Sequence, residues 1–442
     1  MATIPVPQAG GAPAAAPAPP GAGPRSPLAP PAPIPIPVVI EQHAEEAAFL
    51  WLIRSGAIGA PHYSLADLAR LDGRVEAHLD GLRIAGEHGW SCCLQALGAD
   101  EPAGEVFAAS VLAFEAGVPE RIAQILKAAA KAPGLHRPVI SALAWLPPDR
   151  ARAHAEKLFA STDPLHRRIA VAAWAIHGQD PGAPLVAATR DADPGVLARA
   201  IRALGELGRA EISVLAASRM THEDASVRFA GAWSAALLGK YPNAIVALQK
   251  IAETEPARAR RAADLALRRM DPKAGAAWLA KLLPRLAVIG AGVVGDPALV
   301  PGLFERMKDP KLARAAGEAF SMITGADLAF EDLDGNAPEG FEAGPTEDPK
   351  DDNVELDPEE NLPWPKLEAV AKWWEGRRAG MRSGTRHLCG KPIEAAWVQK
   401  VLRHGKQSQR AAAALELAIL IPAKPLFEVR APGYRQQRDL PR

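Results

Sequence analysis

A motif that recurs about every 30 residues through the middle of the chain limits the folds open to it. Each copy has a polar start, an Ala-rich apolar stretch with helical spacing and a closing glycine, and the clearest copies start at Asp163, Asp193 and Asp224. An Asp carboxylate can accept from the free N–H groups at a helix start, and glycine favours the backbone conformation that ends a helix. Because one helix pair cannot bury its apolar stripe alone, the repeat predicts a stacked array of helical hairpins.

The same spacing continues in both directions and gives about eight copies. The other copies start at Pro102, Gly134, Glu255, Pro284 and Asp309. Eleven residues into four of the copies stand large apolar side chains, which we expect at one buried level of the stack: Trp145, Trp174, Leu204 and Phe320. Trp233 lies in the same type of helix, so it is also predicted to belong to the core.

Composition favours an all-α chain. Aromatic residues make up only 5% of the 442 residues, alanine is abundant and β-branched residues are few. Basic and acidic residues balance at 51 each, so no global basic excess points to nucleic acid. The predicted fold is an all-α solenoid of helical hairpin repeats of about 30 residues, with an acidic loop insertion and a C-terminal helical module.

Changes in composition divide the chain into five predicted segments. Residues 1–38 are rich in Pro and Ala and are predicted to be a disordered tail. Residues 39–100 read as an N-terminal helical cap that covers the first face of the array, and residues 101–325 as the array itself. Residues 326–365 form an acidic loop rich in Pro and Gly, and residues 366–442 a C-terminal helical module and tail.

The acidic stretch 326–360 has a net charge of about −13, whereas residues 361–442 have a net charge of +10. We therefore expect this loop to dock on basic side chains of the C-terminal region. A calcium loop is the alternative, but Asp332 and Asp334 before Gly335 supply only a fragment of the ligand pattern that such a loop needs.

A GxGxxG pattern runs from Gly290 to Gly295 and matches the dinucleotide-binding fingerprint. That fingerprint needs a strand–helix–strand context, whereas Pro297 and Pro301 follow closely and no second strand is predicted before Asp309. The glycines also fit the repeat spacing, where small residues let helices approach closely. We therefore predict no cofactor site.

The sequence offers no recognisable reaction centre. The three cysteines (Cys92, Cys93 and Cys389) lack metal-binding spacing, and the histidines form neither HxxxH nor HExxH. No nucleophile motif is present, so no catalytic residue and no metal site is predicted. No apolar run reaches the roughly 18 residues that span a bilayer, and a reducing cytoplasm is the simplest predicted location.

Tryptophans outside the repeat period mark a candidate partner-binding surface after the acidic loop. Exposed Trp beside Arg can anchor a protein partner. The candidate residues are Trp364, Trp373, Trp374, Arg377 and Arg378. Packing of the tryptophans against the end of the solenoid is the open alternative.

Basic residues recur about five positions into the repeat helices and would form a ladder along one edge of the stack. They are Arg168, Arg199, Arg228, Arg260, Arg261 and Arg314. We expect this ladder to pair with Asp residues of neighbouring repeats. Binding of phosphates is the alternative.

Five stretches give the chain a family resemblance. They are His62–Gly86, Ile323–Phe330, Pro338–Pro349, Asp357–Pro365 and Arg410–Gly433. With the repeats, they make residues 40–435 resemble a proteobacterial family of HEAT-repeat-containing proteins. The resemblance implies a HEAT-like α-solenoid, a frequent genetic neighbourhood of type VI secretion components and an accessory, adaptor or cognate-protection role. It implies no catalytic residues.

Two functional hypotheses follow. The first is a non-enzymatic scaffold or adaptor whose concave face or C-terminal module holds a protein partner, such as a secretion effector or spike protein. The second is a HEAT-like nucleic-acid-binding protein or a DNA glycosylase or lyase-type enzyme. A glycosylase would need a continuous basic concave surface with an acid and aromatic side chains at its centre, so a map of the charge on that surface separates the two.

Overall fold

The computed structural model describes residues 36–98, 102–239, 241–341, 344, 357 and 359–440. Nearly all of the predicted N-terminal tail and the centre of the predicted acidic loop lie outside these residues. Residues 37–442 group into one unit by their contacts.

Twenty-two helices account for nearly all regular structure in the described residues. The N-terminal helices are α1 (Pro37–Ala57), α2 (Leu65–Ile84) and α3 (Glu87–Ala96). The array consists of α4 (Ala103–Ala116), α5 (Pro119–Ala129), α6 (His136–Trp145), α7 (Pro148–Phe159), α8 (Pro164–Ile176), α9 (Ala183–Ala188), α10 (Pro194–Glu206), α11 (Ser213–Ala217), α12 (Ala225–Leu238), α13 (Pro242–Thr254), α14 (Pro256–Arg269), α15 (Pro272–Leu279), α16 (Pro284–Val294), α17 (Val300–Met307) and α18 (Pro310–Thr324).

The remaining elements follow the array. The helices are α19 (Leu367–Glu375), α20 (Ala395–His404), α21 (Gln407–Leu420) and α22 (Gly433–Asp439). The strands are β1 (Asp334–Gly335), β2 (Trp364–Pro365), β3 (His387–Leu388) and β4 (Lys391–Pro392). They form two antiparallel ladders of two residues each, β1 with β2 and β3 with β4. The chain is therefore all-α in class, as predicted.

Four of the even-numbered array helices, α8, α10, α12 and α18, begin with the Asp cap that the repeat predicts. The carboxylate of Asp163 accepts from the N–H of Leu165 at 2.8 Å, and Asp193, Asp224 and Asp309 cap their helices in the same way. Such a cap contributes about 1 kcal/mol because it satisfies a helix-start N–H that has no partner within the helix.

The array has two layers, and each hairpin adds one helix to each. Consecutive even-numbered helices from α4 to α18 pack directly on one another, whereas each odd-numbered helix packs mainly on its hairpin partner. We call this closely packed even-numbered layer the inner layer, and its surface the inner face. Its eight helices coincide with the eight predicted copies. The side chains predicted to be core are all buried there: Trp145, Trp174, Leu204, Trp233 and Phe320.

The GxGxxG stretch is helix and not the turn of a dinucleotide site. Helix α16 includes Gly290 and Gly292 and ends at Gly295, which has a left-handed φ of 71°. A Cβ at Gly292 would lie 3.0 Å from the Cα of Ala319 in α18. The glycines therefore allow close helix packing, as predicted.

Both ends of the array are covered. At the start, α1 packs against α4 and α2 packs against α1, and one buried core runs from Ile40 to Val294. At the far end, Val370 and Trp374 of α19 join Phe320 of α18 in a second core. A third core belongs to residues 388–440 and includes Leu65 of the N-terminal helix α2. Contact between the chain's C-terminal region and its N-terminal helices is a feature that the repeat pattern does not predict.

Candidate functional site

Residues 384–440, here called the return segment, run back along the array from its last repeats to its first. The segment starts where the N–H of Gly384 donates to the carboxylate of Asp296 at 2.9 Å. The N–H of His387 then donates to the carbonyl of Gly295, and that of Cys389 to the carbonyl of Met322, both at 2.8 Å. The last carbonyls of a helix have no partner within the helix. The bonds from His387 and Cys389 therefore give such carbonyls at the ends of α16 and α18 a donor.

The same pattern continues toward the first repeats. The N–H of Leu426 donates to the carbonyl of Glu206 at the end of α10, at 2.7 Å. The guanidinium of Arg435 then donates to the carbonyl of Ala144 at the end of α6, at 2.8 Å. Near the start of α21, the N–H of Gln407 donates to the carbonyl of Tyr63 beside α2, at 2.8 Å. The return segment therefore follows the ends of the inner helices and joins the two ends of the chain.

Buried ion pairs fix this segment. Glu416 of α21 accepts from Arg386 at 2.6 Å and from Arg268 of α14 at 2.7 Å, and its side chain is 1% exposed. Burial raises the pKa of the Glu416 carboxyl, but the two guanidiniums overcome this and lower it below its ordinary value. Near the N-terminus, the buried carboxylate of Asp72 accepts from Arg54 at 2.6 Å and from the N–H of Gly433.

The predicted arginine ladder divides into two kinds of site. Arg228 approaches Glu255 of the next repeat at 3.5 Å, so it pairs with a neighbouring repeat as expected, although with a glutamate and not an aspartate. For Arg199 the expectation is wrong, because it pairs with Glu206 of its own helix at 2.8 Å. For Arg314 that expectation is also wrong, because its partner is Asp357 of the acidic stretch, at 2.7 Å. Glu359 of the same stretch pairs with Arg285 at 2.6 Å.

The docking predicted for the acidic stretch needs a correction as well. Asp357 and Glu359 dock on arginines of the repeats and not on the basic C-terminal region. Among the described acids of this stretch, Glu331 binds side chains of that region, accepting from the indole N–H of Trp373 at 2.5 Å and pairing with Arg377 at 3.5 Å, while Asp334 meets it through the β1–β2 backbone ladder.

The middle of the inner face carries a group of arginines that we call the arginine groove. It consists of Arg137 of α6, Arg199 and Arg202 of α10, Arg258 and Arg261 of α14, and Arg430 of the return segment. Three of the six side chains are exposed and three are half-buried. The ladder prediction named two of them, Arg199 and Arg261. The others could not be found from the repeat alone, because Arg430 comes from a distant part of the chain.

Aromatic rings of α12 form the floor of the arginine groove. The guanidinium of Arg202 lies over the ring of Trp233, 4.4 Å from its centroid, and that of Arg261 lies 5.5 Å from the centroid of Phe229. Both rings are buried. A cation held over an aromatic face is stabilised while its N–H edges remain free to bind an acceptor.

Charge in the arginine groove is unbalanced toward positive. Burial raises the pKa of the Glu206 carboxyl, but the guanidiniums of Arg199 and Arg202 hold it at about 2, so Glu206 is ionised. Desolvation, followed by repulsion from Arg202, Arg258 and Arg430, lowers the pKa of Arg261. The arginines therefore repel one another, and the carboxylates of Glu206, Glu255 and Glu428, which pair with them, do not cancel all of their charge.

The tryptophans of the predicted partner-binding surface pack largely inward. Trp374 is 6% exposed and lies in the core beside Phe320. Trp373 is half-buried against the same ring, and Trp364 lies beneath Arg314 at 4.7 Å from its ring centroid. Much of the surface of these tryptophans is therefore packed against the end of the solenoid, which was the open alternative.

The two arginines of that surface are exposed. Arg377 lies over the ring of Trp373 at 4.2 Å, and Arg378 pairs with Glu375 at 2.8 Å. Arg378 and Trp374 also line an open cavity of about 420 Å³ between the turn at Pro297 and the end of α19. Partner binding at these residues stays a prediction that rests on the arginines and this cavity.

A second open cavity, of about 450 Å³, lies between α5 and α7 and includes a serine, a histidine and an aspartate. Ser161 Oγ lies 2.9 Å from His166 Nδ1, while Asp163 Oδ2 lies 3.7 Å from His166 Nε2. Ser161 also accepts from the N–H of Asp163, which caps α8. At 3.7 Å the carboxylate of Asp163 does not form the hydrogen bond that would orient His166 as a base. The three side chains therefore form the turn at the start of α8.

No group of three or more His, Cys, Asp or Glu side chains in the described residues is placed to hold a metal ion. None of the helices in that part of the chain combines the length and apolar character that crossing a membrane requires.

Comparison with known proteins agrees with this geometry. Residues 182–268 match the family model of HEAT repeats. The match runs from α9 into α14 and includes four of the six groove arginines. No curated protein matches the chain. The fold and the match together support a HEAT-repeat-like α-solenoid.

Proposed function

We propose that the chain is a non-enzymatic scaffold that holds a protein partner in the arginine groove on its inner face. The observation that carries this proposal is the groove itself. Fixed guanidiniums lie over the aromatic floor of Trp233 and Phe229, inside the segment that matches HEAT repeats. Oriented charges above a rigid apolar floor suit the binding of a protein surface.

The chain's own contacts support a protein as the bound molecule. The inner helices already accept an extended segment of this chain, whose backbone N–H groups, such as that of Leu426, donate to helix-end carbonyls. Arg314 and Arg285 already bind the carboxylates of Asp357 and Glu359. The array thus holds two segments of its own chain, one through backbone hydrogen bonds and one through arginine–carboxylate pairs.

The biological role that we propose is an accessory role in type VI secretion. The partner would be an effector or a spike protein, and the scaffold would act as its adaptor or provide cognate protection. The family resemblance supports this role. We place the protein in the cytoplasm, where the thiols of Cys92, Cys93 and Cys389, which form no disulfide, would stay reduced.

Co-purification from a lysate of the source organism tests the scaffold. The bait would be the full chain, and the matched baits would be the double variant Arg137→Gln/Arg261→Gln and the variant Arg152→Gln. Arg152 is an exposed arginine of the outer helix α7, paired with Glu156. One protein enriched by the wild type and by Arg152→Gln, and lost with the double variant, is the expected result. No enriched protein at any salt concentration would refute the scaffold.

One observation favours a second candidate, a nucleic-acid-binding protein or a glycosylase or lyase-type enzyme. The groove combines cations, the aromatic floor and an acid, Glu206. However, the arginines hold the pKa of Glu206 at about 2, whereas a general base works best with a pKa near the working pH. A shift of DNA by the wild type that weakens as the salt concentration rises and is abolished by Arg137→Gln/Arg261→Gln would favour this candidate over the scaffold, whereas failure to shift DNA at any salt concentration would remove it.

A further inference from the structure

Arginines of the last two inner helices, α16 and α18, bind carboxylates of the acidic stretch. Asp357 lies 2.7 Å from Arg314 of α18, and Glu359 lies 2.6 Å from Arg285 of α16. Arg314 also lies over Trp364, 4.7 Å from the ring centroid. An acidic segment of protein therefore binds an arginine that is stacked on an aromatic ring.

The arginine groove repeats this arrangement on the earlier helices. Arg261 and Arg202 lie over Phe229 and Trp233, as Arg314 lies over Trp364. On these earlier helices, no carboxylate of the described residues takes the place of Asp357 opposite Arg261.

The acids that do face the groove are already engaged. Glu206 pairs with Arg199 and Arg202, Glu428 with Arg430, and Glu255 with Arg258. Within the described part of the chain, six guanidiniums thus face three carboxylates, and Arg137 donates there to the backbone carbonyl of Ser55 at 3.2 Å. The Nη1 atom of Arg199 is buried and has no hydrogen-bond partner among the described residues. The carboxylate oxygen Oε2 of Glu206, 2.8 Å from Nη2 of Arg199, is also buried without a hydrogen-bond partner there. The excess of guanidiniums over carboxylates at this surface therefore favours a negatively charged partner.

We infer that the arginine groove binds an acidic, extended segment of the partner protein, in continuation of the site that Asp357 and Glu359 occupy. This inference rests on the proposed scaffold function and names the chemistry of its partner. Packed helices lie roughly 9 Å apart, so the four steps from α6 to α14 span roughly 36 Å. An extended segment of about 11 residues would cover that distance.

The charge balance favours an acidic protein segment over nucleic acid. The chain has no net charge, and its acidic stretch 326–360 has a net charge of about −13. A long polyanion would be repelled by that stretch, whereas a short acidic segment needs only the local groove.

The test is the binding of a labelled acidic peptide to the full chain, measured by fluorescence anisotropy. The peptide would have about 11 residues, the span of the groove, and would contain Asp, Glu, Gly and one Phe; its control would carry Asn and Gln for the acids. We expect the acidic peptide alone to bind, and high salt to weaken it. Arg137→Gln/Arg261→Gln should weaken it at least about tenfold, and Arg152→Gln should not change it.

Thermal unfolding checks that the double variant is still folded. Because Arg137 and Arg261 are exposed, form no ion pair with any of the described residues and are repelled by their neighbours, their replacement should leave the midpoint unchanged or raise it. Loss of binding together with unchanged or higher stability is the expected combination.

Three results would overturn the inference. The first is equal binding of the acidic peptide by the wild type and the double variant. The second is tighter binding of single-stranded DNA of equal charge, abolished by the same variant. The third is a roughly tenfold gain in peptide affinity when Glu347, Asp348, Asp351 and Asp352 are made neutral, since the chain's own acidic stretch would then be the occupant.

The lysate experiment separates this inference from the proposed function. A specific partner recovered equally by the wild type and the double variant would leave the scaffold standing and refute the groove as its docking site. Failure to recover any partner would refute the scaffold itself.

Discussion

The guanidinium of Arg435 in the return segment donates to Nδ1 of His177 at 2.9 Å, and Nε2 of His177 bonds the carbonyl of Leu143 at 2.9 Å. Only a neutral imidazole can accept from Arg435 and donate to Leu143 at once. Burial, followed by the charge of Arg435, lowers the pKa of His177 to about 4. The attachment of the return segment to α8 therefore depends on pH.

Acid should weaken this attachment. The unfolded chain binds a proton at His177 near pH 6.5, whereas the folded protein does so only near pH 4. The stabilisation from the neutral ring is thus complete above pH 6.5 and is lost as the pH falls toward 4. Between pH 8 and pH 5 the free energy of unfolding should fall by about 2 kcal/mol from this group, measured by urea unfolding.

The control for this pH dependence is His177→Gln. A glutamine can accept from Arg435 and donate to Leu143 but does not titrate in this range. Other buried histidines titrate equally in both proteins, so the difference between the two pH profiles reports His177. Identical profiles for the wild type and the variant would show that the pair with Arg435 contributes nothing.

Removal of the charge of Glu416 should be among the most destabilising single changes. Arg268 and Arg386 would lose their shared carboxylate, and Arg268 is buried. Loss of one partner from a buried ionic network costs about 3–5 kcal/mol. We expect this loss for Glu416→Gln in urea unfolding, against less than about 0.5 kcal/mol for Glu375→Gln, whose exposed pair with Arg378 is the matched control. Equal effects of the two variants would contradict the buried network.

Substitution of two glycines, Gly295 and Gly117, allows the cost of backbone strain to be measured apart from the cost of a clash with the return segment. Gly295 and Gly117 both end a helix with a left-handed φ, 71° and 67°. A Cβ at Gly295 would collide with the carbonyl oxygen of His387, whereas a Cβ at Gly117 would meet nothing within 4 Å. Gly117→Ala should cost about 1 kcal/mol of stability, and Gly295→Ala at least about 1 kcal/mol more. Equal costs in chemical unfolding would mean that the return segment does not lie against Gly295.

The residues of the predicted partner-binding surface should divide into structural and surface roles. Trp374→Ala should lower the free energy of unfolding by about 3–5 kcal/mol because the ring fills the core at the array end. Arg378→Ala should change it by less than about 0.5 kcal/mol. If Arg378→Ala nevertheless reduces recovery of the lysate partner, the cavity beside Trp374 takes part in docking. Equal stability losses for the two variants would contradict the packing of Trp374.

Local signals predicted much of the array. Asp163, Asp193, Asp224 and Asp309 cap helices where the repeat places them, and the periodic tryptophans are buried. These features are encoded within about 15 residues, because a cap and an apolar stripe act within one helix.

The return segment could not be predicted in this way. Its contacts join backbone N–H groups, such as that of Leu426, to carbonyls about 200 residues earlier, such as that of Glu206, and backbone bonding leaves no residue signature. Gly208 resembles an ordinary helix-ending glycine, yet a Cβ there would lie 2.6 Å from the carbonyl oxygen of Lys424. The repeat pattern predicted two of the six groove arginines, Arg199 and Arg261, and it could not predict Arg430, because that residue reaches the groove through the return segment.

Native-state hydrogen exchange tests most directly whether the return segment belongs to the folded array. The amides of His387, Cys389, Gly390 and Leu426 donate to carbonyls at the ends of α16, α18 and α10. We expect them to exchange as slowly as the amides in the middle of α10, through global unfolding. Exchange at the rate of an unstructured peptide, while α10 stays protected, would contradict a solenoid closed by its own C-terminal segment.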